Sequence, residues 1–198
     1  MSGVFPTSPV PSSVELKSMT PTMEDMAQSG RRNVRVLGVQ KWSLSCSFPN
    51  TLSREQFMPI MAFVMKQQGR FETFTFVSPD LATPRGTALG TPLVNAGAQI
   101  GTTLITDGWT SGATFLAGDI FKVAGHSKVY MLTEDSTADG AGNMTLTFQP
   151  PLMESPVNNE ALTKEDVPFT VQLNDDTTAY SVSGPLLYGY SMQLLEVI

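Results

Sequence analysis

Residues Ala117 to Leu152 read AGDIFKVAGHSKVYMLTEDSTADGAGNMTLTFQPPL. Ile120, Lys122 and Ala124 alternate with Phe121, Val123 and Gly125; Val129, Met131 and Thr133 alternate with Tyr130 and Leu132; Met144, Leu146 and Phe148 alternate with Thr145 and Thr147. A period of two places successive side chains on opposite faces of a pleated strand, so this stretch predicts three strands. Between the second and third lies Ser136 to Asn143 (STADGAGN), where Gly140 and Gly142 can take positive φ without a Cβ clash and Asp139 and Asn143 can bond nearby backbone. That composition predicts a hairpin tip. The stretch reads as a small closed β-unit without catalytic equipment.

The same residues resemble the inserted barrel of distal tail proteins from long-tailed bacteriophages of the flexible, non-contractile kind. In that family a pattern xAGDxFKxxxHxKVYxxT opens the inserted domain. The counterparts are Ala117, Gly118, Asp119, Phe121 and Lys122, then His126, then Lys128, Val129 and Tyr130, and Thr133.

Working outward, the N-terminal side begins with Phe5 to Glu15, rich in proline and serine, which predicts an extended arm until Val14, Leu16 and Ser18 start a strand. Met19 to Gly30, holding Pro21, the pair Glu24 and Asp25, and Gly30, predicts a loop with at most one helical turn. Arg31 to Val39 and Trp42 to Phe48 alternate and read as a hairpin joined at Gln40 and Lys41. Ser53 and Gln56 form a capping box, Phe57, Ile60, Met61, Val64 and Met65 recur at helical spacing, and Gly69 suits the position just past a C-terminus. A helix is therefore expected over about 54–68. Arg70 to Val77 (RFETFTFV) has the aromatic and threonine content of a strand.

From Pro79 to Gly101 the glycines and prolines predict a crossing into a second unit, with Thr102 to Thr106 as its first strand. Met153 to Asp166 is polar, acidic and aperiodic, and is expected to be a connector. Strands are expected again over Phe169 to Leu173, Ala179 to Val182 and Leu187 to Ile198, with a turn at Asn174 to Asp176 and a break at Gly184 and Pro185. The early strands need the late ones as partners. The expected fold is mainly β: a discontinuous sandwich with one helix over 1–88 and 167–198, and an inserted small OB-like β-barrel over 89–166.

The flanks are also similar to the tail-protein family, in which a tryptophan-bearing strand, a short helix and an aromatic strand follow one another. Trp42, the helix with Ala62 and Phe63, and Gly69 to Phe74 fill those places. A related family of tail-like gene-transfer particles is matched by Phe63, Gly69, Arg70, Phe74, Phe76 and Glu196. The resemblance implies a structural virion protein, made in the host cytoplasm and placed at the tail tip. It implies a hexameric ring that joins the tail tube protein to a hub or baseplate protein, with DNA passing through the channel. Pro6, Pro9 and Pro11 are the candidate arm of that ring, and Arg31, Arg32 and Arg35 a candidate contact for an acidic partner surface. An exposed strand edge guarded by charge is the competing reading of the arginines.

Composition narrows the chemistry. The chain has 198 residues, of which 41% are hydrophobic, enough for one large or two small cores. Its 12 basic and 18 acidic residues give a net charge of -6, which disfavours sequence-independent nucleic-acid binding. Eleven methionines and eleven phenylalanines beside only 15% charged residues point to oligomeric contacts. No apolar run is long enough for a membrane span, and the start lacks the pattern of a signal peptide.

The single cysteine, Cys46, lies on the apolar face shared by Trp42, Leu44 and Phe48 and is read as core. His126, between Gly125 and Ser127, is read as a turn or surface residue beside Lys128, without a base role. Glu134, Asp135, Asp139 and Asn143 lack the spacing of a calcium loop and are read as a solvated hairpin. Glu24 with Asp25, and Asp175 with Asp176, are turn and surface residues. No nucleotide motif occurs. Neither an enzyme nor a cofactor is expected. Two other functions compete: a host-carbohydrate-binding module acting in adsorption, stacking sugar on Trp109 and Tyr130, and a tail-tube or tail-completion protein. For both aromatic residues core filling is the simpler reading.

Overall fold

The computed structural model describes residues 3–198; the first two residues of the expected sandwich lie outside them. In chain order the strands are β1 (Ser13–Met19), β2 (Thr22–Met26), β3 (Arg32–Val36) and β4 (Lys41–Leu52). After helix α1 (Arg54–Lys66) come β5 (Phe74–Val77), β6 (Gly90–Val94), β7 (Thr103–Trp109), β8 (Thr114–Phe115) and β9 (Ile120–Val123). Then follow β10 (Val129–Leu132), β11 (Ser136–Thr137), β12 (Met144–Gln149), β13 (Leu162–Thr163), β14 (Pro168–Leu173), β15 (Tyr180–Ser183) and β16 (Leu187–Glu196). The fold is mainly β, with one α-helix and a nearly closed six-stranded barrel-like sheet.

The chain divides into two compact units. One comprises Pro6–Glu72 with Gln172–Val197. Its centre is β4, which pairs antiparallel with β1 on one side and β16 on the other. Trp42, Leu44, Cys46 and Phe48 are buried while Ser43, Ser45 and Ser47 are only half-buried, so the period of two in the sequence is the two-faced burial of β4. Helix α1 starts where the capping box requires: the Ser53 hydroxyl accepts from Gln56 N, and the Gln56 side chain accepts from Ser53 N at 3.1 Å. Phe57, Ile60 and Val64 are buried, but Met65, expected on the same face, is exposed. The helix closes at Gln67, and Gly69 takes φ +65 with the Asp176 carboxylate against its Cα, where a Cβ would meet Oδ1 at 2.8 Å.

Two expectations for this unit are corrected. Met19 to Gly30 is not a loop: Thr22–Met26 is β2, and it pairs along its length with β3, from Thr22 against Val36 to Met26 against Arg32. Consequently β3 does not form a hairpin with Trp42 to Phe48. Met19 opposes Lys41 in the β1–β4 ladder, so the hairpin of β2 and β3 is an excursion between two strands that are partners at its base. The backbone bonds of β3 are taken by β2, and β4 needs both its edges for β1 and β16. Gln40 Nε2 donates to Ser18 Oγ at 3.0 Å beneath the excursion.

The other unit comprises the lead-in through Phe5, Thr73–Val171 and Ile198. Phe5 is buried against Phe74 and Phe76 of β5, with ring centroids 6.2 and 5.6 Å apart, and β5 pairs with β14. The barrel runs in the order β13-β9-β10-β12-β7-β6. It is brought round on itself by a bridge between Leu93 and Ala161 and by Val94 N donating to Glu160 O at 2.8 Å.

Two more expectations change here. Gly90–Val94, read as irregular crossing, is β6, and its glycine allows the strand to lie on the Gly108 carbonyl, where a Cβ would approach to 2.5 Å. The connector from Met153 to Asp166 contains β13, whose two residues pair with Val123 and Lys122. Both strands lack a sequence alternation because they are short and one is interrupted by Pro92. At the hairpin tip only Gly142 is left-handed, at φ +81, and Gly140 is not. Asp166 N donates to Ala82 O at 2.7 Å, so the chain enters and leaves the barrel at one place.

Candidate functional site

The barrel interior is filled by side chains. Phe121 stacks on Tyr130 with centroids 5.5 Å apart, and Phe148 meets both edge-on at 5.2 Å. Phe115 joins Phe121 to Trp109, and Leu104, Leu132 and Leu146 complete the core. Every polar atom carried inside by the large aromatics has a partner: Trp109 Nε1 donates to Thr106 Oγ1 at 2.8 Å, that hydroxyl donates to Met144 O, and the Tyr130 hydroxyl accepts from Met153 N at 3.1 Å. Trp109 is 5% exposed and Tyr130 0%. Neither ring presents a face on which a sugar can stack. Burial supports core filling for both.

The conserved-looking shape of the Ala117 motif has a mechanical basis. Asp119 is buried, and its carboxylate accepts three backbone N–H groups: Arg85 at 2.7 Å, Leu116 at 2.9 Å and Gly86 at 3.3 Å. Arg85 returns a bond from Nη1 to Ala117 O at 2.8 Å. Gly86 must be glycine, since a Cβ would stand 2.2 Å from Thr114 O. The motif thus ties the incoming chain to the start of β9. Sequence reasoning quoted Asp119 without a role; an acidic residue between glycine and a buried run was the available signal.

His126 does sit in a turn, but it is not a surface residue, and Lys128 beside it is buried. His126 Nε2 lies 3.7 Å from Glu160 Oε2, its Nδ1 has no hydrogen-bond partner, and Glu160 also accepts from Val157 N at 3.0 Å. Lys122 Nζ donates to Pro168 O and to Thr170 Oγ1 at 3.1 and 3.0 Å. The barrel therefore encloses its polar groups between strands, which alternation alone does not reveal.

Around the hairpin tip, Asp139 accepts from Ala141 N at 2.9 Å and from Asn143 N and Nδ2 at 2.8 and 3.0 Å. The Asn143 side chain and backbone, followed by the Ala141 and Gly142 amides, hold its carboxyl below the usual value against a small opposing effect of desolvation. Asp135 accepts from Ala117 N at 2.8 Å. Glu134, Asp135, Asp139 and Asn143 do line one shallow depression. Among the described residues no group of three or more His, Cys, Asp or Glu side chains could hold a metal ion.

The candidate assembly residues lie in the other unit. Pro6, Pro9 and Pro11 are half-buried in a segment with no regular structure before Ser12, which donates to Ser47 O from both N and Oγ. Arg31, Arg32 and Arg35 are exposed at and along β3. Arg32 forms an ion pair across the hairpin with Glu24, at 2.5 Å. Every residue from Lys17 to Val39 is exposed, including Met23, Met26, Val34 and Val36.

Residues singled out in the flanks are structural. Cys46 is buried. Glu196, also buried, accepts Trp42 N at 3.0 Å, and Arg70 meets Asp176 through its backbone N at 3.2 Å. Asp175 caps the turn at Thr177 N.

Residues 82–167 match the sequence model of a family described as distal tail protein pb9, B domain. No curated protein matches the chain. The matched span contains the barrel strands β6 to β13 together with the Arg85 to Asp119 tie.

Proposed function

Since its residues 82–167 match the B domain of a phage distal tail protein, the chain is a siphophage-type tail protein, and from that premise we propose that it forms a hexameric ring at the tail tip. In this reading the ring joins the tail tube protein to a hub or baseplate protein, and DNA crosses its channel without specific binding. The part built from residues 1–88 and 167–198 forms the ring, and the barrel over 89–166 is carried by it.

The observation that carries the reading is the match to the barrel. It is supported by a second: a continuous run of exposed residues from Lys17 to Val39, with several large apolar side chains that a free monomer leaves in water. A ring needs two different complementary surfaces on each subunit. A net charge of -6 also suits a channel to which a phosphate backbone does not adhere.

Electron microscopy of the purified chain, alone and with tube protein, tests this. Sixfold rings that cap tube ends are expected. A chain that stays monomeric and never enters particles overturns the reading, and long tubes built from this chain alone favour a tube protein instead.

A further inference from the structure

The hairpin of β2 and β3 has no side chain buried on its own chain. A two-stranded hairpin is at best marginally stable in water, and this one holds together by its ladder, the Arg32 to Glu24 pair and Leu37 N donating to Pro21 O at 2.9 Å. Its register sorts the side chains. Met26, Val34 and Val36 share one face with Thr22, Glu24 and Arg32, and Met23 and Arg35 share the other with Asp25 and Asn33. Val34 and Val36 are 59% and 62% exposed, more than β-branched side chains in a paired strand ordinarily are.

A second uncovered apolar surface lies in the same unit. Strand β15 pairs with β16 and with no other named strand, and its four residues are all exposed. Tyr180 and Val182 point to one side, and Leu186 follows in the turn to β16. Tyr180 rests on Phe57, with centroids 5.2 Å apart, so this surface is held rigid from below. It is preceded directly by Asp175 and Asp176.

We infer that the β2–β3 hairpin of one copy docks its Val34 and Val36 face on the Tyr180, Val182 and Leu186 surface of the next copy. This rests on the ring reading above and names the contact that closes it. The occupant is a second copy because the charges complement each other. The segment from Met19 to Gln40 carries Arg31, Arg32 and Arg35 against two acids, in a chain whose net charge is -6, and the target surface is led by two aspartates. The two surfaces differ, so the contact is head-to-tail, which is the geometry that propagates round a ring.

The test uses the full chain. In R31E/R35E, exposed positions whose change leaves the fold intact by circular dichroism, self-association measured by sedimentation is expected to weaken at least tenfold. Adding D175K is expected to recover most of it. Separately, V34C/V182C is expected to give, on mild oxidation, a ladder of covalently linked copies that neither single variant gives; Cys46 is buried and does not contribute. Wild-type rings with unchanged association in R31E/R35E and no ladder overturn this contact and leave the ring reading standing. Cross-linking of the V34C hairpin to added tube protein in place of a second copy overturns it too. A wild-type chain that is monomeric at every concentration removes the ring and the contact together.

Discussion

The Asp119 carboxylate accepts the Arg85 backbone N–H at 2.7 Å, although the two residues are separated by the whole of β6, β7 and β8. Because Asp119 also holds Leu116 N and Gly86 N, three amide donors depend on one buried anion. Removing it leaves those donors unmatched. D119A is expected to destabilise the barrel by about 2–4 kcal/mol, and D119N, which retains an acceptor, by roughly half as much. Denaturant unfolding followed by tryptophan fluorescence measures both, and equal effects of the two variants would contradict an acceptor role.

The hairpin tip offers a paired comparison of two glycines. Gly142 has φ +81 and a Cβ there would stand 2.4 Å from Trp109 O, whereas a Cβ on Gly140 meets nothing within 4 Å. G142A is expected to cost about 2 kcal/mol or more, and G140A to stay within about 0.5 kcal/mol of the parent. Thermal melts of the two variants side by side provide the check.

Alanine at Tyr130 or Trp109 creates a cavity in the barrel core, since the rings are 0% and 5% exposed. Each substitution is expected to lower stability by about 3–5 kcal/mol. Any loss of glycan binding in Y130A or W109A would then accompany loss of the folded barrel. Binding lost in a variant with an unchanged melting temperature is the result that would restore a sugar-stacking role.

Burial pushes the Tyr190 phenol up to about 12 from its ordinary value of 10.0. The unfolded chain releases this proton at lower pH than the folded one, so between those values the folded state binds more protons and stability falls as pH rises. Y190F, which has no such proton, is expected to lose less stability than the parent between pH 10 and pH 12. Alkaline titrations of the unfolding midpoint decide it, and parallel curves would refute the assignment.

How far the sequence could be read followed from the range of the interactions involved. The capping box at Ser53 and Gln56 is local, and it starts the helix where expected. The alternation through Met144, Leu146 and Phe148 is local too, and the three residues are buried in the core. Strand partners are not local. Nothing in Arg32–Val36 says that its ladder lies with Thr22–Met26 and not with the residues after Gln40, since either neighbour is close in the chain. Leu162 and Thr163 are too few to show a period, and they are recognisable as a strand only once Val123 and Lys122 stand opposite. The candidate residues divide the same way. The arginines of β3 are exposed as the pattern implied, but His126 and Lys128 are buried by the barrel's return on itself, which a turn composition does not encode.

The bond from Asp166 N to Ala82 O gives the barrel a single point of attachment. A domain held at one doorway can be exchanged without rethreading what lies beyond it: deleting the span between these two residues and bridging them with a couple of glycines leaves chain ends already in register. Evolution has the same shortcut. Tail proteins built on this plan can trade, lose or enlarge their decoration by one recombination event, while the segments before Ala82 and after Asp166 keep their own history.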